Sequence, residues 1–286
     1  MSSSPYIDLH SIFKITSSLL ESFPRSNPNY IQESGSANKA LVLYGTNISS
    51  TVGYPMYTTI VRYMVNIPYH LIDLLVGILL SDGKIQIYNA SKFNKIEYPL
   101  KKGARFRFKQ SIKHFEYFWL VYSFFQHYCT AVPKLKIETL KNKKFVQIEF
   151  YTRSLPCFLV LYRKFYNQGK KRVPSDLFDL LTYRGLAHWI MGDGQTSSGG
   201  IYLNTQSFTL QECVFIINVF IIKYNFNPKL RKQRNQYLIY LGVKDVKKLY
   251  PHCLPHFVKS MEYKYKYKFK STYMHKERQI RGKSLN

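Results

Sequence analysis

Acidic residues are scarce in this chain of 286 residues, which has 16 Asp and Glu against 42 Lys and Arg and a formal net charge of +26. A protein this basic needs a polyanionic partner, and nucleic acid is the commonest one. A membrane-surface or ribosomal role stays open, because charge alone does not select among anions. The 25 Tyr and 20 Phe argue against a disordered basic tail, since disordered segments carry few aromatic residues. The composition therefore predicts a folded protein that binds DNA or RNA.

Cysteine is scarce as well, with four residues in the whole chain. No two of them have the close spacing of zinc ligands, which argues against a zinc ribbon or finger. We expect them to be reduced core residues of an intracellular protein. They are Cys129, Cys157, Cys213 and Cys253.

Long hydrophobic runs are missing. Residues 74–80 form the longest apolar run, far short of the roughly 18 residues that a membrane span needs, so we expect no membrane partner. Residues 1–20 resemble neither an organellar transit peptide nor a secretory signal. Heavy use of Ile, Tyr, Phe, Lys and Asn indicates an AT-rich genome such as that of an organelle. We therefore expect an organelle-encoded protein of the mitochondrion rather than the chloroplast.

The chain contains an internal repeat, and its period near 100 residues indicates a duplicated domain rather than a solenoid. Four landmarks recur in the same order. They are an apolar nonamer ending in Asp-Gly, a Gln-Ser pair followed by Glu, a Pro-Lys-Leu-Lys/Arg tetrapeptide, and a lysine. The two copies lie at residues 75–83 and 186–194, 110–116 and 206–212, 133–136 and 228–231, and at Lys171 and Lys264.

Each copy predicts the same succession of elements. An apolar helix ends at the glycine of each nonamer, and Thr182 stands where the N-cap of the second helix is expected. Alternating residues at 105–110 and 201–206 predict half-buried strands. A helix, a hairpin and further helix follow in both copies. The prediction is an α+β fold of two pseudo-symmetric αββαββα half-domains with antiparallel sheets.

The repeat also predicts the domain boundaries. We expect an N-terminal extension over residues 1–69, partly disordered because it is rich in Ser, Asn, Tyr and Pro with weak periodicity. The first half-domain spans residues 70–175, and the second spans residues 176–286 and ends in a basic tail. Residues 263–270 alternate aromatic and basic side chains, which fits either a DNA-tracking arm or an edge strand guarded by lysines.

One face of the predicted strands suits a nucleic-acid groove. The period of two puts Arg105, Arg107 and Lys109 on one face and Phe106 and Phe108 on the core face. Lysines hold phosphates, and Arg, Asn and Gln can contact base edges; the alternative is an ordinary solvated face. The predicted DNA contacts are Arg105, Arg107, Lys109, Gln110, Lys134, Lys136, Tyr202, Asn204, Gln206, Lys229, Arg231 and Arg234.

The two Asp-Gly pairs gain meaning from the repeat, because a single Asp-Gly is an ordinary turn signal. Equivalent residues near a pseudo-twofold axis meet, so packing of the two apolar helices would bring Asp82 and Asp193 together. Ser81 and Gly192 are small enough to allow that approach. Adjacent carboxylates repel unless a cation lies between them, and oxygen ligands suit Mg²⁺. The pair is thus a candidate metal and catalytic site for in-line attack on phosphorus.

Lys171 and Lys264 would flank this pair and polarise water or offset phosphate charge. In so basic a chain, plain phosphate binding is the alternative for each lysine. His188 lies on the second apolar helix, and no other histidine stands at helical ligand spacing from it. We therefore interpret His188 as a packed residue rather than a metal ligand.

These residues resemble the LAGLIDADG homing endonucleases. The nonamers at residues 75–83 and 186–194 look like that motif used twice, as in single-chain members, and the likeness spans roughly residues 54–269. Residues 106–111, 151–156, 170–174, 203–209 and 260–264 look like the organellar, intron-encoded branch. Two positions depart from the motif: His188, where glycine is typical and helix packing is tightest, and Leu80, where an acid is common.

The resemblance implies a monomer whose two half-domains form a saddle over a long double-stranded DNA site. It implies a double-strand break with short 3′ overhangs that promotes intron mobility. Asp82 and Asp193 would hold Mg²⁺, for which other divalent cations substitute, with Lys171 and Lys264 near the metals. The alternative is an RNA maturase that binds its own group I intron and assists splicing, with or without cleavage. A structural protein of an organellar ribosome would explain the charge but not the duplicated Asp-Gly pair.

Overall fold

The computed structural model describes residues 57, 59–87, 103–140, 143–197, 199–233 and 236–264. The chain divides into two compact units, one made of Met1–Leu71 and Gly83–Arg163 and the other of Ile72–Asp82 and Lys164–Asn286. The expectations for the extension before residue 57 and for the tail after residue 264 lie outside the described residues.

The first copy of the repeat has the predicted order of elements, helix-strand-strand-helix-strand-strand-helix, preceded by one short helix. Its helices and strands are α1 (Thr59–Met64), α2 (Tyr69–Leu80), β1 (Lys84–Ile87), β2 (Ala104–Ser111), α3 (Phe115–Phe125), β3 (Lys134–Leu140), β4 (Lys143–Tyr151) and α4 (Pro156–Phe165). Short 3₁₀ turns flank α3 at Ile112–His114 and Gln126–Tyr128.

The second copy repeats that order after a two-residue hairpin and one helical turn. Its elements are β5 (Tyr166–Asn167), β6 (Lys170–Lys171), α5 (Leu177–Leu180), α6 (Tyr183–Asp193), β7 (Gly194–Ser197), β8 (Gly200–Asn204), α7 (Leu210–Tyr224), β9 (Lys229–Gln233), β10 (Gln236–Leu241) and α8 (Val243–Cys253). Two 3₁₀ segments follow at Leu254–His256 and Lys259–Lys264. The α+β class and the αββαββα order are confirmed.

The sheet of the first unit is antiparallel with strand order β1-β2-β4-β3. Burial alternates along β2, where Phe106 and Phe108 are fully buried and the intervening Arg107 is partly exposed. The buried face packs on α3, with ring centroids of Phe106 and Phe125 5.0 Å apart. Gln110 follows the same alternation and lies on this buried face. Period two assigns even-numbered positions of this strand to the core, so the predicted DNA contact of Gln110 starts from a buried side chain and stays a prediction.

The sheet of the second unit has the matching antiparallel order β7-β8-β10-β9. Its buried face carries Ile201 and Leu203 of β8 beside Ile239 and Leu241 of β10. Helix α7 begins with a capping box in which the hydroxyl of Thr209 accepts from the Glu212 N–H and the Glu212 carboxylate accepts from the Thr209 N–H. The glutamate that recurs in the repeat thus has a structural role at this helix start.

Helices α2 and α6 touch backbone to backbone within the second unit. A Cβ built on Gly77 would lie 2.6 Å from the Gly185 carbonyl carbon, and one on Gly185 would lie 2.7 Å from the Asp73 carbonyl oxygen. Nearer the C-terminal ends of the helices, a Cβ on Gly192 would lie 2.6 Å from the Ser81 Cβ. Only glycine allows approaches this close. The two helices are therefore in close contact at two places along their length.

His188 lies three residues after Gly185, the α6 residue that meets Gly77 and stands just before the second nonamer. The His188 side chain is 1% exposed. Burial, followed by the charges of Arg184 and His256, lowers the His188 pKa to about 3. The histidine is therefore neutral and packed, as predicted.

The N-terminal end of the helix pair is held by polar contacts. The Thr182 hydroxyl accepts from the Gly185 N–H at 3.1 Å, which confirms the predicted N-cap. Arg184 forms an ion pair with Asp73 at 3.4 Å. The two helices are therefore fixed by charge at one end and by glycine contacts along their length.

All four cysteines lie in the described part of the chain, and no disulfide bond joins them. Burial raises the pKa of the Cys157 thiol to about 12 and also raises that of Cys129. Cys129, Cys213 and Cys253 are buried, as expected of core residues, whereas Cys157 is partly exposed. No helix among the described residues is long and apolar enough to cross a membrane.

We expect Gly77→Ala to destabilise the protein. Alanine favours a helix interior by about 1 kcal/mol over glycine, but overpacking against a rigid backbone costs about 3 kcal/mol or more, so the net loss is roughly 2 kcal/mol. Chemical denaturation measures it. Gly242→Ala is the matched control, because its Cβ would meet only Asp245 Oδ2 at 3.9 Å. Equal effects of the two substitutions would contradict the close contact.

Candidate active site and nucleic-acid interface

The four residues predicted to be catalytic all belong to the second unit and meet at the C-terminal ends of α2 and α6. Asp82 lies two residues after the end of α2, and Asp193 is the last residue of α6. The Asp82 carboxylate lies against the helix that carries Asp193, since a Cβ on Gly192 would be 3.3 Å from Asp82 Oδ2. Asp82 is exposed and Asp193 is half-buried. The prediction that small residues at 81 and 192 allow this approach agrees with the structure.

The two carboxylates interact electrostatically. Burial, and after it the charge of Asp82, raises the pKa of Asp193 to about 7, although Lys171 and Lys264 act in the opposite direction. A carboxylate with that pKa is half-protonated at neutral pH. The pair is thus a strained arrangement of like charges that a cation between them would relieve.

The two lysines occupy equivalent places, one at each helix end. The Lys171 ammonium donates to the Ser81 carbonyl at 2.7 Å. The Lys264 ammonium donates to the carbonyls of Met191 and Gly192 at 2.6 and 2.5 Å. Each lysine therefore neutralises the partial negative charge that a helix C-terminus carries. Burial lowers the Lys264 pKa, against the opposing charges of Asp82 and Asp193.

Two short segments deliver these lysines. Lys171 lies on β6 opposite Tyr166, and the turn between β5 and β6 uses Gly169 at φ 81°. The next residues are tied down, because the Val173 N–H donates to Glu212 Oε1 at 2.8 Å. Lys264 ends the 3₁₀ segment Lys259–Lys264, and its carbonyl accepts from the Thr196 hydroxyl at 2.5 Å.

The donor set fits a hard divalent cation that shares its ligands with substrate. Within the described ranges, no group of three or more His, Cys, Asp and Glu side chains could hold a metal by itself. Two carboxylates with the remaining positions left to water and phosphate oxygens are the usual arrangement for Mg²⁺. Burial, and after it the charge of Asp82, raises the pKa of Asp193, and a bound cation would act in the opposite direction.

The polar face of the first sheet contains an acid that sequence reasoning missed. The Glu149 carboxylate on β4 accepts from Arg107 Nε and Nη2 at 3.1 and 2.6 Å and from the Lys136 ammonium at 2.7 Å. The Tyr151 hydroxyl donates to the same carboxylate at 3.1 Å. Strand alternation at 147, 149 and 151 was the available signal for its orientation, but not for its partners.

Apart from Gln110, which is buried, the other predicted contacts on this sheet also lie on its polar face. The Arg105 guanidinium stacks over the Tyr151 ring at 4.4 Å from its centroid. Lys109 forms an exposed ion pair with Glu138 at 3.2 Å. Lys134 stands opposite Glu149 in the strand register and is exposed.

The second sheet carries fewer charges on the corresponding face. Tyr202 and Asn204 lie half-buried on β8, with the Tyr202 ring 4.7 Å from that of Tyr240. Lys229 and Arg231 are exposed on β9. The predicted contact Gln206 is exposed but follows the end of β8, and the predicted contact Arg234 lies outside the described residues.

Comparison with known proteins gives a consistent family. The model of the LAGLIDADG DNA endonuclease family matches residues 72–249. A cytochrome b mRNA maturase bI2 of Debaryomyces hansenii is 30% identical over 200 residues, which cover 68% of this chain and 72% of the relative. An intron-encoded endonuclease ai4 of Dictyostelium discoideum is 31% identical over 155 residues, or 51% of this chain and 98% of the relative.

A solved structure shares the fold. The homing endonuclease I-WcaI bound to its DNA recognition sequence aligns with a TM-score of 0.64 and 24% identity. The alignment covers 72% of this chain and 91% of that one. At this identity the likeness establishes the fold alone.

We expect Asp193→Asn to stabilise the metal-free protein at pH 8. Because the Asp193 pKa is raised to about 7, the folded state binds more protons than the unfolded state between about pH 4 and 7, and stability falls as pH rises through that window. Asparagine does not ionise, so the variant does not lose this stability. Its free energy of unfolding should exceed that of the wild type by on the order of 2 to 4 kcal/mol above pH 7 and by little near pH 4. Urea unfolding in EDTA at both pH values measures the difference.

Asp179→Asn is the control, since Asp179 is an exposed acid of the same unit. Its effect on the unfolding free energy should not grow between pH 4 and 8. A difference for Asp193→Asn that is independent of pH would contradict the raised pKa.

Proposed function

The chain belongs to the LAGLIDADG DNA endonuclease family, and from that membership we propose that it makes a site-specific double-strand break in DNA that promotes intron mobility. The observation that carries the proposal is the meeting of Asp82 and Asp193 at the ends of two touching helices, with one lysine at each end. Two carboxylates related in this way suit cleavage of two strands. A protein that only binds nucleic acid has no need of such a pair.

The cofactor in this proposal is Mg²⁺, held by Asp82 and Asp193, with other divalent cations as substitutes. A bound divalent cation would lower the pKa of water and offset charge on phosphate. The aspartates supply oxygen ligands in a fixed place because the helices that carry them cannot slide apart. Lys171 and Lys264 place positive charge beside the carboxylates, where it favours approach of a phosphate.

The substrate in this proposal is a long double-stranded DNA, contacted by the polar faces of the two sheets. The basic side chains of the first sheet, including Lys109 and Lys134, would neutralise phosphates. The second face, with Tyr202 and Asn204, would contribute contacts that depend less on charge. The half-domain boundaries expected from the repeat, at 70–175 and 176–286, are part of the same proposal.

A second function has its own support. The relative from Debaryomyces hansenii is named a cytochrome b mRNA maturase, and it covers two thirds of this chain at 30% identity. RNA binding to the intron that encodes the protein, with assistance to splicing, is therefore the alternative. Cleavage and splicing assistance are compatible, because only the first requires the aspartates.

Assembly and location follow from the same reasoning. Both Asp-Gly nonamers stand in one chain, so a monomer completes the aspartate pair without a second copy. The names of the relatives refer to introns and to cytochrome b mRNA, and the composition indicates an AT-rich genome. We therefore place the protein in the mitochondrion that encodes it.

We expect purified protein with Mg²⁺ to cut the intronless form of its host gene. Asp82→Asn and Asp193→Asn should each abolish double-strand cutting, because each removes an oxygen ligand, while DNA affinity stays within a few-fold. Gel analysis of linear and nicked plasmid together with a binding titration measures both. Asp179→Asn, on the surface of the same unit, should cut normally. Normal cutting by either site variant would refute a shared site.

Affinity for DNA should fall steeply with salt. Neutralising 6 to 10 phosphates implies a loss of roughly 10³ to 10⁵ in affinity between 50 and 200 mM salt. Lys134→Ala should lower the slope of log affinity against log salt by about 1. Lys247→Ala removes an exposed charge from α8, a helix that packs on the buried side of the second sheet, and should leave the slope unchanged. Salt-independent binding would contradict contact through the charged faces.

A further inference from the structure

Glu149 is an acid beneath a basic surface. It lies on β4, an inner strand, with Lys109 and Lys134 opposite it on the two neighbouring strands. Its side chain is 2% exposed, whereas the other acid of this face, Glu138, is 52% exposed. A negative charge in this place opposes the attraction of phosphates, in a chain that otherwise has few acids. Its presence therefore requires an explanation other than affinity.

The Glu149 carboxylate connects three side chains of the polar face. One oxygen accepts from Arg107 Nε and Nη2 and from the Tyr151 hydroxyl, and the other oxygen accepts from the Lys136 ammonium. Burial opposes its ionisation, but the hydrogen bonds from Lys136 and Arg107 outweigh burial and hold its pKa below the ordinary value. The acid is therefore charged at neutral pH and is fully engaged.

The consequence for Arg107 is a fixed guanidinium. One edge of the group is bound to Glu149, and its plane lies near the Tyr151 ring, with the guanidinium carbon 5.4 Å from the ring centroid. Guanidinium has five N–H donors in a rigid fork, of which this contact uses those on one edge. The side chain remains 22% exposed. An arginine held in this way offers its other edge in one orientation, which is what bidentate reading of a guanine requires.

We propose that Glu149 is a specificity-determining residue, which positions Arg107 and Lys136 so that the first sheet reads bases in the DNA target instead of only binding its phosphates. The proposal rests on the proposed function as a DNA-cleaving enzyme. Glu149 acts through its two basic partners and touches no DNA itself. It lowers the general attraction for DNA and in return restricts the orientations from which Arg107 can bind.

The test compares two glutamines on the same face. Full-length wild type, Glu149→Gln and Glu138→Gln are each used in EDTA to select duplexes from a random-sequence pool, and the bound DNA is sequenced. Both variants lose one negative charge, so both should bind unselected DNA several-fold more tightly. Only Glu149→Gln should lose base preference, by roughly tenfold at one or two neighbouring positions. Equal preference profiles for the two variants would overturn the proposal.

A second variant covers the case in which Glu149→Gln does not fold. Arg107→Lys keeps the charge and removes the fork, so it should lose preference at the same positions. The same substitution at an exposed position of α4, Arg163→Lys, should not. Retained preference in Arg107→Lys would overturn the proposal as well. The result for the wild type distinguishes failure of the proposed function from failure of this inference. A wild type without any base preference sinks the proposed function and this inference together, whereas preference that survives in Glu149→Gln sinks only the inference.

Discussion

The contact of two helix backbones at Gly77 and Gly185 is the constraint on which the candidate active site depends. Carboxylates repel, and the charge of Asp82 adds to burial in raising the pKa of Asp193. Their proximity is imposed by the helices that carry them. Glycines at 77, 185 and 192 remove the atoms that would keep the helices apart, and Arg184 with Asp73 fixes the far end. The proximity of the two aspartates is therefore a consequence of helix packing. The packing energy of the two helices offsets the repulsion between the carboxylates.

Positive charge has two different uses in this protein. Lys171 and Lys264 are bound to carbonyls at helix ends, where they oppose the charge of the aspartates. On the first sheet, Arg107 and Lys136 are bound to a buried acid. In each case a basic side chain with many rotamers is held in one by a hydrogen-bond acceptor. Net charge attracts a polyanion from a distance, whereas basic groups held in one orientation favour contacts of one geometry.

The sequence predicted the order of helices and strands and the proximity of the two aspartates, because both follow from local residue patterns and from the repeat. Apolar periodicity placed the helices, alternation placed β2 and β8, and the duplication made Asp82 and Asp193 equivalent. It did not reach Gly185, because the exact crossing of two helices depends on side-chain volumes along both. It included Gln110 among the DNA contacts because of its amide, although the alternation along β2 puts this residue on the buried face. It missed Glu149, whose partners come from two other strands and depend on register, which the turn lengths alone do not specify.

The division of the chain has a consequence for how such an enzyme can change. Residues Ile72–Asp82 belong to the same compact unit as Lys164–Asn286. Both aspartates and both lysines therefore lie in one unit that is formed by two separate stretches of the sequence. The segment Gly83–Arg163, with its own aromatic core, enters the sequence between the two parts of that unit. Exchange of this segment by recombination or design would replace the polar face of the first sheet. It would leave the two aspartates and the two lysines of the candidate active site in place. A boundary drawn midway between the two nonamers would instead separate Asp82 from the residues that hold it.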